Sequence, residues 1–537
     1  MKKNNTDPLD TGTSWVGDTA PTAADVAVWN NTLPAANTSS LNVPVTWDGI
    51  RVTNPGGPVT VTGDALLTLD GGATTDINLS AATQNLTLET PVAMLGTLTT
   101  TVAAGRTLTF AGPLSTTATT WGRTGTGTVI FDNEITSAAV TTLELQEGTN
   151  IFTGRNGGLS LTSTAAGARI FVGRNNRTAT LIISNGFHEA RGVNSAVNAN
   201  LIGATGSTGH LFIVDGTLRV PYLRAGINDN ATGHITVNGG TLEATAGSAT
   251  ANLDGYALML ANVASDNGAV ANANASLTVN GGQALFTNGI VKLGSPNGTS
   301  SGSAAITLNG GTLATRRIYA DISHTKTFTF NGGTLRATGG GALFDGPGAS
   351  NGSLALNVGN GGARIDTGAN TLTLATPLRA AGTGGLDKLG SGTLTLAAAN
   401  TYTGKTRVLG GTLAVSAAAA ASAANLTLVS GTGLSLADGT LSTFAPTALA
   451  LPSAAPITLT LETAPGNSAS DCLVLPAGTV LGAMTIAPVI QGTAARTARI
   501  GDYTVLAYSG AAPDISGLSV PAPALILACS IPLTPKR

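Results

Sequence analysis

The sequence predicts an all-β solenoid, in which short strands stack in successive coils. First, one phrase recurs, an apolar residue followed by Asn-Gly-Gly-Thr-Leu or a close variant. Second, its copies stand about 22 residues apart, as from Gly311 to Gly333, within the range of solenoid coils and below that of propeller blades. Third, aliphatic residues alternate with Thr over many short runs, which places one row of side chains inward and one outward. The copies begin at Val214, Val237, Val279, Leu308, Phe330 and Leu409.

The phrase itself predicts a corner between two strands. Gly adopts positive φ at no steric cost, and Asn before it tolerates left-handed geometry. Identical residues of successive coils stack, so ladders of Asn side chains are expected. From Gly240 to Gly282 the distance is 42 residues, which predicts two coils of 21; the 29 residues from Gly282 to Gly311 predict an insertion at 295–298.

Three segments are predicted along the chain. Residues 1–57 carry Trp15, Trp29 and Trp47 and are expected to form an N-terminal segment and cap over the first coil. Residues 58–442 are expected to form the solenoid repeats, and 443–537 the C-terminal coils and a strand-rich tail. Ser416 to Ala424 is the one Ala-rich run, predicted as a short helix or a loop.

Residues 385–415 read GLDKLGSGTLTLAAANTYTGKTRVLGGTLAV. This segment closely resembles the autotransporter-associated β-strand repeat, also called the passenger-associated transport repeat. The residues that carry the resemblance are Lys388, Gly390, Gly392, Leu394, Leu396, Asn400, Tyr402, Gly404, Thr406, Gly411 and Leu413. A weaker copy begins at Gly125 and lacks the Asn-x-Tyr corner. The resemblance implies a right-handed parallel β-helix and a secreted passenger or surface protein, and it implies no particular activity.

Composition narrows the function further. Only 10% of the residues are charged and the net charge is -2, so the sequence predicts no nucleic-acid partner. The sequence contains no run of about 18 apolar residues, so no membrane-spanning helix is predicted. Met1-Lys2-Lys3 resembles the start of a signal peptide, but the polar run 4–13 follows it; we therefore expect the signal peptide to be absent from this chain. The resemblance of residues 385–415 implies an extracellular or cell-surface bacterial protein.

Charged residues were considered as catalytic candidates, because a glycosidase needs two carboxylates about 5 to 9 Å apart. Each fits a turn charge or a solvated ion pair equally well. The sequence therefore predicts no catalytic residue, no cofactor and no enzyme. The candidates considered are Asp229, Asp321, Asp345 and Asp366, with Arg316, Arg317, Arg364 and His234 beside them.

Histidine and cysteine patterns predict no metal site either. His210 and His234 are 24 residues apart, near one coil, so their rings are expected to stack, but two histidines make a poor zinc site. Cys472 and Cys529 match no metal motif. Either a disulfide or two separate buried thiols fits their spacing.

The sequence thus predicts an extracellular structural protein, acting as a surface rod, a stalk or a subunit of a self-assembling filament. The alternative is an adhesin or a carbohydrate-active enzyme built on a β-helix, with a surface glycan or matrix molecule as partner. Head-to-tail self-association is expected through an apolar terminal strand that could add to a neighbouring chain. Its apolar residues are Val520, Leu525, Ile526, Leu527 and Ile531.

Overall fold

In a computed structural model of the 537-residue chain, nearly all regular secondary structure of the described residues is β-strand. The structure describes residues 1–519 except 72–75, 97, 118–119, 138–141, 162–167, 192–198, 246–254, 263–271, 296–300, 351–352, 420–424, 452–456, 464–469, 478, 480–483, 491–505 and 509–517. Three predicted features lie outside the described residues: positions 296–298 of the insertion predicted at 295–298, the tail residues Val520 to Ile531, and Cys529. Whether Cys472 and Cys529 pair therefore stays a prediction.

Strands up to residue 308 are β1 (Val26–Trp29), β2 (Asn37–Ser40), β3 (Val45–Trp47), β4 (Gly49–Val52), β5 (Val59–Thr62), β6 (Leu67–Leu69), β7 (Ile77–Leu79), β8 (Leu86–Leu88), β9 (Val92–Met94), β10 (Leu98–Val102), β11 (Thr107–Phe110), β12 (Leu114–Thr116), β13 (Thr120–Thr124), β14 (Thr128–Ser137), β15 (Thr142–Leu145), β16 (Gly148–Leu161), β17 (Arg169–Val172), β18 (Thr178–Ile183), β19 (Phe187–Ala190), β20 (Asn200–Ala204), β21 (Thr208–Ile213), β22 (Thr217–Val220), β23 (Leu223–Ile227), β24 (Thr232–Val237), β25 (Thr241–Ala244), β26 (Tyr256–Asn262), β27 (Asn272–Val279), β28 (Gln283–Phe286), β29 (Ile290–Leu293) and β30 (Ser301–Leu308).

Strands after residue 308 are β31 (Thr312–Thr315), β32 (Ile318–Ala320), β33 (Thr325–Phe330), β34 (Thr334–Ala337), β35 (Gly341–Ala342), β36 (Phe344–Asp345), β37 (Leu354–Val358), β38 (Ala363–Asp366), β39 (Thr371–Leu374), β40 (Leu378–Ala380), β41 (Leu386–Leu389), β42 (Thr393–Leu396), β43 (Thr406–Val408), β44 (Thr412–Val415), β45 (Asn425–Leu428), β46 (Gly433–Ser435), β47 (Thr443–Phe444), β48 (Ala448–Ala450), β49 (Ile457–Thr463), β50 (Cys472–Leu475), β51 (Met484–Ile490), β52 (Leu506–Tyr508) and β53 (Leu518–Ser519).

Two short helical turns complete the described elements, a 3-10 turn at Gly12–Ser14 and α1 at Pro347–Ser350. The run Ser416 to Ala424 was predicted as a short helix or a loop, and its described part, residues 416–419, forms a turn. No helix within the described residues has both the length and the apolar character needed to cross a membrane.

The chain divides into two compact units. The first unit comprises residues 1–305 with 321–325, and the second comprises 306–320 with 326–537. In the first unit successive coils stack in three parallel columns, and the long strands β14 and β16 each span two of these columns. The coil that contains β23, β24 and β25 is an example. Its strand β23 pairs with β20 and β26. Strand β24 pairs with β21 and β27, and strand β25 pairs with β22 and β28. The predicted all-β parallel β-helix is confirmed.

The second unit also consists of parallel pairs between strands of successive coils. One column runs β31, β34, β38, β41, β43, β45 and β48. Another runs β35, β39, β42, β44, β46, β49, β51 and β53. The strands at its carboxyl side, β47, β50 and β52, form a further short parallel sheet.

Alternation along each strand builds the core. In β5 the two Val side chains are buried and the two Thr side chains are half-buried on the outer face. Like residues stack between coils, as Phe110, Phe131 and Phe152 do, with ring centroids 5.5 and 4.8 Å apart. Burial of each such side chain stabilises the fold by roughly 1.5–3 kcal/mol. The two-residue period therefore determines both the strands and the core.

The predicted Asn ladders are present within the units. Asn280 Nδ2 donates to Asn238 Oδ1 at 2.8 Å, and Asn331 Nδ2 donates to Asn309 Oδ1 at 3.0 Å. At the corner that follows, Gly282 has φ +61°, whereas a Cβ on Gly281 would lie 2.4 Å from the carbonyl oxygen of Asn238. One glycine of the pair is thus needed for its φ and the other for close approach of the preceding coil.

One predicted coil count is wrong. Val237 pairs directly with Val279, and Leu242 pairs with Ala284. The 42 residues from Gly240 to Gly282 therefore form one coil, where the sequence predicted two. Strand β26 supplies the usual third strand of this coil, and the extra residues flank it on both sides.

The three N-terminal tryptophans meet in one cluster. Trp15 packs edge-on against Trp29 and Trp47, with centroids 5.6 and 5.8 Å apart, and all three rings are buried. Backbone bonds continue the cover, because Lys2 N donates to Val28 O and Leu9 N donates to Ser40 O, both at 2.8 Å. Residues 1–15 thereby bond to the outer edges of β1 and β2. Coil strands begin at residue 26, inside the predicted 1–57 segment.

Candidate binding surfaces

The carboxylates considered from the sequence lie in separate ion pairs. Asp345 Oδ2 accepts from Arg317 Nη1 at 2.6 Å on the surface, whereas Asp321 Oδ2 accepts from the Lys292 ammonium at 2.9 Å in a nearly buried pair. Asp366 faces Arg336 at 3.8 Å. Each carboxylate thus has a cation of its own. The structure does not bring these carboxylates together as a catalytic pair.

The remaining candidates are surface or turn residues. Asp229 is exposed between two Asn residues in left-handed conformation. His234 lies in register with His210, and their rings stack with centroids 5.2 Å apart, as predicted. Within the described part of the chain, no group of three or more His, Cys, Asp or Glu side chains is placed to hold a metal ion.

Burial shapes the chemistry of the two stacked histidines. It lowers the pKa of His234, and it lowers the pKa of His210 with a further contribution from the charge of His234. His234 Nδ1 lies 2.8 Å from Ser276 Oγ of the next coil. In the folded chain at neutral pH, the neutral imidazole is therefore the favoured form of both rings.

Lys388, the lysine of the family-like segment, is a buried structural cation. It occupies an inward position of β41 between Ile365 and Val408 of the neighbouring coils. Its ammonium donates to four oxygens of three successive coils at 2.8–3.1 Å: Thr367 Oγ1 and the carbonyls of Leu389, Gly390 and Gly410. Burial lowers its pKa to about 8. Its donors are used inside the coil stack.

Arg123 plays the same part in the weaker copy of the repeat. It stands two residues before Gly125, as Lys388 stands two residues before Gly390. Its guanidinium is buried and donates to the carbonyls of Gly125, Gly127 and Glu147. Burial lowers its pKa to about 10. Both cations bond carbonyls of their own corner and of the next coil.

The Asn-x-Tyr corner of the segment is likewise satisfied internally. Asn400 Oδ1 accepts from the backbone N–H of Leu378 at 2.8 Å, and its Nδ2 donates to Ala398 O at 3.0 Å. The Tyr402 hydroxyl lies 2.6 Å from Thr406 Oγ1, and burial raises the pKa of this tyrosine. These motif residues fix the corner and present no reactive group to solvent.

Each unit has one column of side chains whose charge alternates in sign from coil to coil on the outer surface. In the second unit Arg364, Asp387 and Arg407 stand in register on β38, β41 and β43. Asp387 accepts both Nε and Nη2 of Arg407, at 2.6 and 2.5 Å, and Arg364 Nη1 at 3.4 Å. Bidentate pairing of this kind is strong and directional.

In the first unit the column is Glu189, Arg219 and Glu243 on β19, β22 and β25. Arg219 Nε donates to Glu243 Oε2 at 2.8 Å, and its guanidinium lies 5.1 Å from the ring centroid of Phe187. Phe187 is 46% exposed. A cleft of about 310 Å³ beside this ring is lined by Glu134, Gly157, Gly158, Ser160 and Glu189.

Sequence reasoning missed both columns. Each joins residues 20–30 positions apart, so no local pattern contains it. The available signal was the residue that follows Leu in the recurring phrase, which is Arg219 in one copy and Glu243 in the next. Aligning the copies would have placed these opposite charges above one another.

Comparison with known proteins gives three findings. Residues 386–415 match the passenger-associated-transport-repeat family, which confirms the resemblance of this segment. The chain is 30% identical over 278 residues to the adhesin BmaC autotransporter of Brucella suis biovar 1 (strain 1330). That match covers 49% of this chain and 7% of the adhesin, so the chain corresponds to a small part of that relative. No solved structure matches the chain.

Proposed function

We propose that this chain is a surface-exposed passenger segment of a bacterial secreted protein, and that its main role is structural. The observation that carries the proposal is the family-like segment, whose Lys388, Asn400 and Tyr402 all bond within the coil stack. Such a repeat stabilises a scaffold and leaves function to side chains on the outer faces. The match to a passenger repeat supports an extracellular or cell-surface location.

Surface labelling tests the location. Antibody against this chain is applied to intact cells of the native host, and the signal is compared with that of permeabilised cells. A signal on intact cells that disappears after external protease treatment is expected. Labelling that requires permeabilisation would contradict the proposal. Release of reducing or unsaturated sugar from pectin, alginate or host-like glycans by the purified chain would contradict the non-enzymatic role.

Adhesion is the second candidate function. The similarity to an adhesin supports it, and so does Phe187, an exposed ring beside a cleft that carries two carboxylates. Exposed aromatic rings of this kind supply contact area at binding surfaces. In this version the β-helix is still the scaffold, and a lateral face makes the contact.

As part of this proposal, the chain acts as a rod, a stalk or a filament subunit and associates with copies of itself. Parallel coils present unpaired backbone groups at an open end, which another chain can extend. The residues that we expect to make the contact, Val520 to Ile531, lie outside the described residues. Head-to-tail contacts that do not close produce filaments.

A further inference from the structure

Positive charge is concentrated in one part of the second unit. Residues 306–320 and 326–420 of this unit contain nine Lys and Arg and three Asp and Glu, a net formal charge of +6, although the whole chain carries -2. Lys388 and Lys326 of this segment are buried, whereas Arg379, Lys405 and Arg407 are exposed. A local field of this sign attracts anions in spite of the negative net charge.

A groove in the same segment has a floor built mainly from glycine backbone. Gly362, Gly385 and Lys405 follow one another on successive coils, joined by backbone bonds from Ala363 N to Gly385 O and from Leu386 N to Lys405 O. A Cβ on Gly385 would lie 2.0 Å from Lys405 O, so close coil packing keeps the floor bare. The groove encloses about 280 Å³. We call it the Lys405 groove.

Polar and charged side chains form its two rims. Asp387 of β41 and Arg407 of β43 line one side of the groove, each two residues after Gly385 and Lys405 respectively. Asn360 and Thr383 line the other, joined by a bond from Thr383 N to Asn360 Oδ1 at 3.1 Å. The exposed Lys405 has no ion-pair partner among the described residues.

We propose that the Lys405 groove binds the carboxylate or sulfate group of an acidic saccharide. The pairing with Asp387 uses Nε and Nη2 of Arg407 and leaves Nη1 for another acceptor. Nη1 of Arg407 and the ammonium of Lys405 are thus two cationic donors available in the groove. Charge-assisted bonds of this type are the strong ones in anion recognition.

The other features of the groove select a saccharide over a bare anion. The glycine floor lets a flat sugar ring approach the backbone, and Thr383 with Asn360 offers hydroxyl and amide partners for sugar hydroxyls. The volume lies just below the ~300–1,000 Å³ of sites for drug-sized ligands, which suits one sugar residue of a longer chain. This inference goes beyond the structural role and does not depend on it.

Calorimetry on the full chain tests the inference. The probes are a sulfated heparin tetrasaccharide, a polyuronate tetrasaccharide, a neutral tetrasaccharide, inorganic phosphate and a single-stranded oligonucleotide. Binding of at least one acidic tetrasaccharide and none of the neutral one is expected. Lys405→Gln should weaken that binding by about tenfold, the value of one charge-assisted bond.

Arg379→Gln is the matched control, because Arg379 is exposed on neighbouring strand β40, outside the groove, and loses the same charge. It should change the affinity less than twofold. Equal losses in both variants would show a diffuse charge effect and overturn the assigned site. Failure of both acidic tetrasaccharides to bind, or equally tight binding of phosphate or the oligonucleotide, would overturn the saccharide assignment. Neither result would alter the surface-labelling outcome.

Discussion

Lys388 is a buried cation that bonds three successive coils, so its replacement should be costly. In Lys388→Met the apolar stem is kept, but the carbonyls of Leu389, Gly390 and Gly410 lose their donor. Unpaired buried polar groups cost about 1–3 kcal/mol, and we expect the free energy of unfolding to fall by that amount. Urea denaturation followed by circular dichroism measures it. Lys405→Met, which replaces an exposed lysine directly before β43, should have little effect.

The pH dependence of this difference has a defined sign. Burial lowers the pKa of Lys388 from 10.5 to about 8 in the folded chain. Between these values the unfolded chain holds a proton that the folded chain lacks, so the free energy of unfolding rises with pH. The difference between the parent chain and Lys388→Met should therefore grow from pH 8 to 10.5. A difference that shrinks over this range would contradict the assigned direction.

The resemblance identified Lys388 as a motif residue but could not supply its role, and the weaker copy was recognised only from Gly125 onward. Lys388 and Arg123 share their place before a Gly-x-Gly pair, yet a charged residue in an alternating strand is expected on the outer face. Carbonyl groups of neighbouring coils accept hydrogen bonds from the inward-facing cation and so offset the cost of burying its charge. That information is non-local, and the same holds for the partner of Asp387, which comes from strands 20 or more residues away.

At the scale of elements, the stacked histidines of β21 and β24 make the coil contact sensitive to acid. Burial lowers both pKa values below the ordinary 6.5. The unfolded chain is therefore protonated first as the pH falls below 6.5, and stability is lost. His210→Gln should reduce the loss of thermal midpoint between pH 7.5 and pH 5.0.

Two neighbours in the same register are neutral, Thr180 before His210 and Ser276 after His234. Thr236→Gln changes an outward residue on the same face of β24 without adding a titrating group. This control should keep the acid sensitivity of the parent chain. An identical acid response in His210→Gln and the parent would show that the ring pair does not contribute.

The stacking of His210 on His234 could be predicted because their 24-residue separation is close to one coil. That the residues between Gly240 and Gly282 form a single coil could not be predicted, because their number equals two ordinary periods. The sequence on either side of β26 carries no recurring phrase, so spacing alone could not distinguish an insertion from a second coil. Periodicity in a solenoid fixes strands and corners well, and fixes the number of coils only where loops are short.

At the scale of the whole molecule, the first coil already has a cover of its own. Trp15 closes the ring cluster with Trp29 and Trp47, and residues 1–15 bond to the edges of β1 and β2. A terminal strand from another chain would have to displace these bonds to add at that edge. Head-to-tail association therefore requires either displacement of the cap or contact at another edge.

Light scattering distinguishes these outcomes for the proposed terminal strand. We expect the mass of the full chain to rise with concentration, and deletion of residues 518–537 to abolish the rise, because the apolar segment that extends a neighbouring sheet is gone. Substituting Val520, Leu525, Ile526, Leu527 and Ile531 by Ser keeps the chain length and should have the same effect. If removal of residues 1–15 promotes association that still depends on the tail, the first coil is the receiving edge. A monomeric mass for every chain at all concentrations would contradict self-association and favour a single passenger scaffold.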